Sequence, residues 1–77
     1  MPHVTVKLYA GRTREQKLRL AEQIVKDVID ILGGGEDSVS VAIQDVRPED
    51  WAEQVYRPEV LDNAANLYKK PGYNPFE

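Results

Sequence analysis

The second residue of the chain has the most distinctive chemistry. Pro2 follows Met1, and removal of the methionine leaves proline at the N-terminus with a free secondary amine. Terminal amines titrate near pH ~8, and apolar surroundings or a nearby cation lower that pKa. Such an amine is a base suited to removing a proton from a carbon beside a carbonyl group. Alternatively, Pro2 only begins an edge strand, where its missing N–H has no cost.

The length and composition limit what else the chain can do. With 77 residues it is predicted to form one domain, residues 1–77, and so small a domain buries a modest fraction of its surface. Cysteine is absent, which excludes a disulfide framework and a thiolate metal site, and the single histidine, His3, cannot hold zinc alone. Association with further copies is the remaining way to gain stability.

The charge pattern argues against nucleic acid and membrane partners. Ten basic and thirteen acidic side chains give a net charge of -3, and the basic residues are scattered along the chain. No apolar run approaches the roughly 20 residues of a membrane span, and no basic, then apolar, leader opens the sequence. We therefore expect a cytoplasmic protein.

Hydrophobic periodicity predicts a strand, a helix and a second strand. Residues 3–9 alternate between apolar and polar types, and so do residues 38–46. Between them, apolar residues recur at helical spacing after a capping-box pattern at Thr13 and Gln16, and the pattern stops at Gly33. Two strands joined by a helix form a β-α-β unit with parallel strands and a right-handed crossover.

The C-terminal part is predicted to add a second helix. Pro58 opens this helical pattern, Lys69 and Lys70 close it, and residues 71–72 form a turn. Residues 73–77 then form a short arm.

Two strands alone leave sheet edges and one sheet face unprotected. Pairing with a second copy would complete a four-stranded sheet with helices on one face, so we expect a homodimer of α+β class. The aromatic side chains in or near the surfaces left for that contact are Tyr9, Trp51, Tyr56, Tyr68, Tyr73 and Phe76.

The order of these features resembles the 4-oxalocrotonate tautomerase family. Residues 2–17 combine an N-terminal proline, a strand, a Gly-Arg pair and a helix that starts with Glu-Gln-Lys. The similarity continues through the Ser-Val-Ser-Val of the second strand and the region of Trp51. The ending Lys-Lys-Pro-Gly-Tyr, residues 69–73, resembles the longer-tailed, phenylpyruvate tautomerase-like branch, which tends to be dimeric while shorter relatives form hexamers.

The resemblance implies a β-α-β tautomerase fold and a cofactor-independent keto-enol isomerase. Pro2 would then move a proton on the enol of a small 2-keto acid, and Arg12 would bind the substrate carboxylate. A guanidinium suits that task because it donates two parallel hydrogen bonds to a carboxylate. Trp51 lies where the family places an aromatic that makes the site apolar. Without the resemblance, Arg12 can be a solvated loop charge and Trp51 a core or interface residue.

One position departs from the family pattern. Ser40 stands on the second strand where the best-known tautomerases carry a second arginine, which polarises the substrate carbonyl. Ser40 could donate a neutral hydrogen bond instead, or Arg14 or Arg47 could substitute from elsewhere. His3 should point away from Pro2, to the other face of the strand, which favours a structural or interface role.

Two other functions remain open from the sequence. Relatives with the same fold and proline hydrate or dehalogenate haloacrylates, using a carboxylate to activate water and a pair of arginines. Glu53 lies where some of them place the acid, but Tyr9 stands in place of the neighbouring arginine. A non-catalytic dimeric binding module is the other alternative, and the missing second arginine is its main support.

Overall fold

The computed structural model describes residues Met1–Glu77, which divide into two compact units, Met1–Asp45 and Val46–Glu77. The first unit is a β-α-β arrangement whose second strand ends at the boundary. Its elements are strand β1 (His3–Tyr9), helix α1 (Arg14–Leu32), a 3-10 turn (Glu36–Ser38) and strand β2 (Ser40–Val46).

The two strands are parallel neighbours, as the sequence predicted. The Ser40 backbone N–H donates to the Pro2 carbonyl at 3.2 Å, which sets His3 directly opposite Ser40. The alternation is confirmed in β1: Val4, Val6 and Leu8 are half-buried, whereas the other face carries exposed residues apart from half-buried Lys7.

Helix α1 begins at the predicted capping box. The Thr13 hydroxyl accepts from the Gln16 backbone N–H at 3.1 Å, and the Gln16 side-chain oxygen accepts from the Thr13 N–H at 2.9 Å. At the other end, Gly33 has a φ of +83° and donates its N–H to the Ile29 carbonyl at 2.8 Å. Glycine adopts this positive φ without a Cβ penalty, so the helix ends where the sequence indicated.

Replacing Thr13 with alanine is expected to lower the free energy of unfolding by about 1 kcal/mol, because the N–H of Gln16 loses its acceptor. Urea denaturation followed by circular dichroism measures the change. Thr13→Ser, which keeps the hydroxyl, serves as the control and should unfold near the wild-type midpoint. Equal stability of the alanine and serine variants would contradict a stabilising role for the cap.

The second strand starts two residues later than predicted. Ser38 belongs to the preceding 3-10 turn, because its hydroxyl and its backbone N–H both donate to the Gly35 carbonyl, at 2.7 and 3.1 Å. Serine commonly satisfies nearby backbone groups in this way and so favours a turn over a strand.

The second unit differs more from expectation. Pro48, and not Pro58, opens its helix: helix α2 (Pro48–Trp51) continues directly into a π-helix (Ala52–Leu61) that contains Pro58. In an α-helix the ring of Pro58 would clash with the carbonyl four residues earlier. The wider turns of the π-helix accommodate the ring.

The helix also stops earlier than predicted. Residues 64–66 form a separate 3-10 turn, and Leu67 is extended, with φ -79° and ψ 117°. The turn is held by Asn66, whose side-chain amide donates to the Asn63 side-chain oxygen at 2.7 Å. The prediction that Lys69 and Lys70 close a helix was therefore wrong, since both lie outside any helix. None of the helices is both long enough and apolar enough to cross a membrane.

Candidate active site

Pro2 lies immediately before β1 and is half-buried. The hydrogen bond from the Ser40 N–H to its carbonyl holds this residue in the ladder between the strands. Its nitrogen, a backbone atom at the start of the strand, is thereby attached to an ordered sheet rather than to a loose tail. The sequence predicted this placement from the strand pattern that starts at His3.

The backbone N–H of Ser40 binds the Pro2 carbonyl in the ladder, and the Ser40 side chain contacts the ring of His3. The Ser40 hydroxyl lies 2.6 Å from Nδ1 of His3, and the Thr5 hydroxyl lies 3.1 Å from Nε2 of the same ring. All three residues are exposed on the face of the sheet that carries the polar side chains of β1. The contact with Ser40 supports the expected structural role of His3. The sequence did not predict this contact because the contact depends on strand register.

Arg12 lies in the turn between β1 and α1. It lines a pocket of about 150 Å³ together with Leu8, Gln16, Lys17 and Leu20. The ammonium of Lys17 pairs with the Asp45 carboxylate at 2.7 Å, whereas the Arg12 guanidinium forms no ion pair within the chain. A small pocket with apolar walls and an arginine at its edge can hold a carboxylate.

Within one chain, Pro2 and Arg12 are not close together. They flank the seven-residue strand β1, one before its start and the other after its end. At the rise of an extended strand, this separates them by about 20 Å or more. A substrate of a few carbon atoms cannot touch both residues of a single chain, so any site that uses both needs a second copy.

Trp51 lies in the second unit, where it is half-buried and donates its indole N–H to the Tyr73 hydroxyl at 2.8 Å. Tyr56, which with Val55 makes up the buried apolar core, donates its hydroxyl to the Tyr73 carbonyl at 3.0 Å. The Tyr56 ring also packs against the rings of Tyr73 and Phe76, with centroids 5.5 and 5.9 Å apart. The C-terminal arm therefore folds back onto the π-helix and fixes the tryptophan.

The two arginines considered as substitutes for the missing second-strand arginine differ in their surroundings. Arg47 is engaged by Asp50, whose carboxylate accepts from its Nε at 3.0 Å and from its terminal nitrogen at 2.9 Å. Arg14 lines a shallow pocket with Leu18 and Val41. Ser40 itself is joined to Pro2 through its backbone N–H, which donates to the Pro2 carbonyl at 3.2 Å.

Glu53, the candidate acid for hydration chemistry, is an exposed carboxylate paired with Arg57. The guanidinium donates to both carboxylate oxygens, at 2.9 and 3.2 Å, and also lies 4.4 Å from the centre of the Phe76 ring. These hydrogen bonds, together with the positive charge, lower the pKa of Glu53 below its ordinary value. A carboxylate so engaged is a weaker base for activating water.

The Arg57→Gln variant is expected to raise the pKa of Glu53 toward that of an unpaired glutamate. In the wild type, the stabilisation from this pair is present above the ordinary glutamate pKa and is lost as the pH falls through the lowered value. Carboxyl ¹³C NMR titration measures the shift. Arg57→Lys, which keeps the charge but not the forked donor, should give an intermediate pKa. An unchanged titration in both variants would contradict the assignment.

Solved structures define the class of protein to which this fold belongs. YwhB, a homologue of 4-oxalocrotonate tautomerase, matches with a TM-score of 0.64 at 37% identity, over 70% of this chain and 88% of that chain. TomN, another such homologue, matches with a TM-score of 0.63 at 28% identity, over 65% and 77%. A trans-3-chloroacrylic acid dehalogenase structure has a TM-score of 0.63 at 21% identity, over 69% of this chain and all of that chain, and shares the fold alone.

Sequence comparison gives the family itself. The Tautomerase enzyme family matches residues 2–60. A probable tautomerase of Xylella fastidiosa is 41% identical over 95% of this chain and 89% of its own length. Tautomerase PptA of Klebsiella pneumoniae is 41% identical over 96% and 99%. The chain therefore belongs to the tautomerase family and is an isomerase.

Proposed function

We propose that this tautomerase interconverts the enol and keto forms of a small 2-keto acid and that the Pro2 amine carries the proton. The observation that carries the proposal is the position of Pro2, which enters the sheet through the hydrogen bond between its carbonyl and the Ser40 N–H. In a chain of this family, that contact gives a terminal amine a defined direction. The amine requires prior removal of Met1, since a prolyl amide nitrogen has no basic lone pair.

The proton transfer follows from this arrangement. In the enol-forming direction, the neutral amine takes a proton from the carbon beside the ketone, the C–H electron pair forms the carbon–carbon double bond, and the ketone oxygen takes a proton from water to give the enol. In the reverse direction, the enol oxygen releases its proton to water and the prolyl ammonium returns a proton to the same carbon. The ring gives the amine little conformational freedom to lose on binding, and a base that titrates near neutral pH suits both directions.

Two further residues of the first unit, Arg12 and Ser40, complete the proposed site. The Arg12 guanidinium binds the substrate carboxylate through paired hydrogen bonds. The Ser40 hydroxyl donates a neutral hydrogen bond to the ketone oxygen, on which negative charge develops. No cofactor takes part in these steps.

The proposed assembly is a homodimer in the cytoplasm. Its main support is the separation of Pro2 and Arg12 within one chain, which two copies can overcome by contributing one residue each. Helix α1 also leaves large apolar side chains in solvent, with Ile31 77% and Leu32 70% exposed. Burial of these side chains against a second copy would stabilise a chain whose own core is small.

An ultraviolet assay of enol ketonisation tests the proposal. Intact mass first establishes that Met1 is absent, and the enol of an aryl-substituted 2-keto acid then serves as the substrate. We expect the processed protein to accelerate loss of the enol absorbance well above the rate in buffer. A processed, folded protein that leaves the buffer rate unchanged would contradict the proposed substrate class.

A further inference from the structure

The imidazole of His3 connects the two strands at the position next to Pro2. Its Nδ1 lies 2.6 Å from the Ser40 hydroxyl and its Nε2 lies 3.1 Å from the Thr5 hydroxyl. The first of these contacts joins residues that stand opposite each other in the parallel ladder, so it is set by register and not by chance approach of long side chains. Both ring nitrogens therefore have partners.

The direction of these hydrogen bonds decides what the Ser40 hydroxyl can do. A neutral imidazole carries one proton, so one nitrogen donates and the other accepts. If the proton is on Nδ1, the ring donates to the Ser40 oxygen and the Ser40 proton stays available for another acceptor. If the proton is on Nε2, Ser40 must donate to Nδ1, and its single proton is consumed within the sheet.

The Thr5 hydroxyl can satisfy the first arrangement. In that arrangement Thr5 donates to Nε2 across the 3.1 Å contact, the ring proton lies on Nδ1, and Nδ1 donates to Ser40 across the 2.6 Å contact. The three groups form a chain in which every donor points the same way and ends at the Ser40 O–H. Aligned hydrogen bonds of this kind also polarise one another, which strengthens the final donor.

We propose that His3 is a positioning residue, which, held by Thr5 in the tautomer protonated at Nδ1, directs the Ser40 proton toward the substrate ketone oxygen. This inference rests on the proposed function, because it assigns Ser40 as the donor to that oxygen. It explains how a serine can act where related enzymes carry an arginine: the neighbouring ring orients its one proton. His3 itself does not contact the substrate in this scheme.

The tautomer can be measured without any substrate. His3 is the single histidine, so its two ring ¹⁵N signals need no assignment against other rings. At alkaline pH, where imidazole is neutral, we expect a protonated Nδ1 and an unprotonated Nε2. Thr5→Val removes the donor to Nε2 and should reduce the population of this tautomer. A ring protonated mainly at Nε2 in the wild type would overturn the proposal.

The kinetic test uses substitutions that separate donation by the ring from its bulk. His3→Leu should lower kcat several-fold and leave KM nearly unchanged, and Ser40→Ala should lower kcat by about two- to ten-fold, the effect of losing one neutral hydrogen bond. The double variant should be no slower than Ser40→Ala alone. His3→Asn places an amide donor near the position of Nδ1 and should restore most of the rate.

Gln44→Leu is the matched control for His3→Leu, because Gln44 is exposed on the same face of β2. It should retain the wild-type rate. Additive losses in the double variant, or an asparagine variant as slow as the leucine one, would overturn the proposal. An inactive, processed wild type would instead refute the proposed function, whereas the ¹⁵N spectrum still tests the contact between His3 and Ser40.

Discussion

Replacing Pro2 with alanine in protein that lacks Met1 is expected to lower kcat roughly 100-fold or more, the range over which a positioned acid-base group contributes. An N-terminal alanine also carries a free amine. That amine is primary and rotates freely, so its lone pair is no longer fixed by a ring. The ultraviolet ketonisation assay measures kcat and KM, and circular dichroism checks that the sheet persists.

Protein that retains Met1 provides the matched control, because it keeps the proline ring and converts only the amine into an amide. We expect this form to be as slow as the alanine variant or slower. If the alanine variant, or the form that retains Met1, turns over at the wild-type rate, Pro2 is not the proton carrier.

Replacing Arg12 with alanine is expected to raise KM by about 10-fold to 100-fold, the effect of losing charge-assisted hydrogen bonds to a carboxylate. The change falls mainly on KM because the carboxylate does not react, so the contact is similar in the ground state and the transition state. Arg12→Lys keeps the charge without the forked donor and should give an intermediate KM. A decrease in kcat with an unchanged KM would argue against a binding role.

Mixing variants tests whether Arg12 and Pro2 of different copies form one site. A heterodimer of one Pro2→Ala chain and one Arg12→Ala chain contains one site with both residues intact. With substrate well below the KM of the Arg12→Ala protein, both homodimers turn over slowly, and random exchange between them should therefore restore about a quarter of the wild-type activity. Absence of any recovery in demonstrably mixed dimers would mean that the two residues do not act together across an interface.

The sequence alone determined strand β1 and both ends of helix α1 in the first unit. Strict alternation in residues 3–9 predicted β1, and the Thr13 and Gln16 pair and Gly33 predicted both ends of α1. These signals are local: a period of two residues places one face inward, a capping box satisfies two backbone N–H groups, and glycine tolerates a positive φ. Residues 2–17 also carried much of the resemblance to the tautomerase family, which the family match over residues 2–60 confirmed.

The second unit was predicted less well because tertiary contacts override its local signals. The sequence predicts a helix start at Pro58, yet Pro58 lies inside a π-helix that contains the buried core residues Val55 and Tyr56. The sequence predicts residues 73–77 as an arm. The contact of this arm with the π-helix depends on hydrogen bonds from Trp51 and Tyr56 to Tyr73. Such contacts join residues 17 to 22 positions apart, beyond the reach of periodicity.

For the site, the sequence determined which groups have the right chemistry: the amine of Pro2, the guanidinium of Arg12 and the hydroxyl of Ser40. Only the tertiary structure decided their arrangement. Strand register placed His3 against Ser40, and the length of β1 separated Pro2 from Arg12. The sequence gives the type of each residue. Which side chains of the two strands stand opposite each other is set by the hydrogen-bond register, which no local pattern specifies.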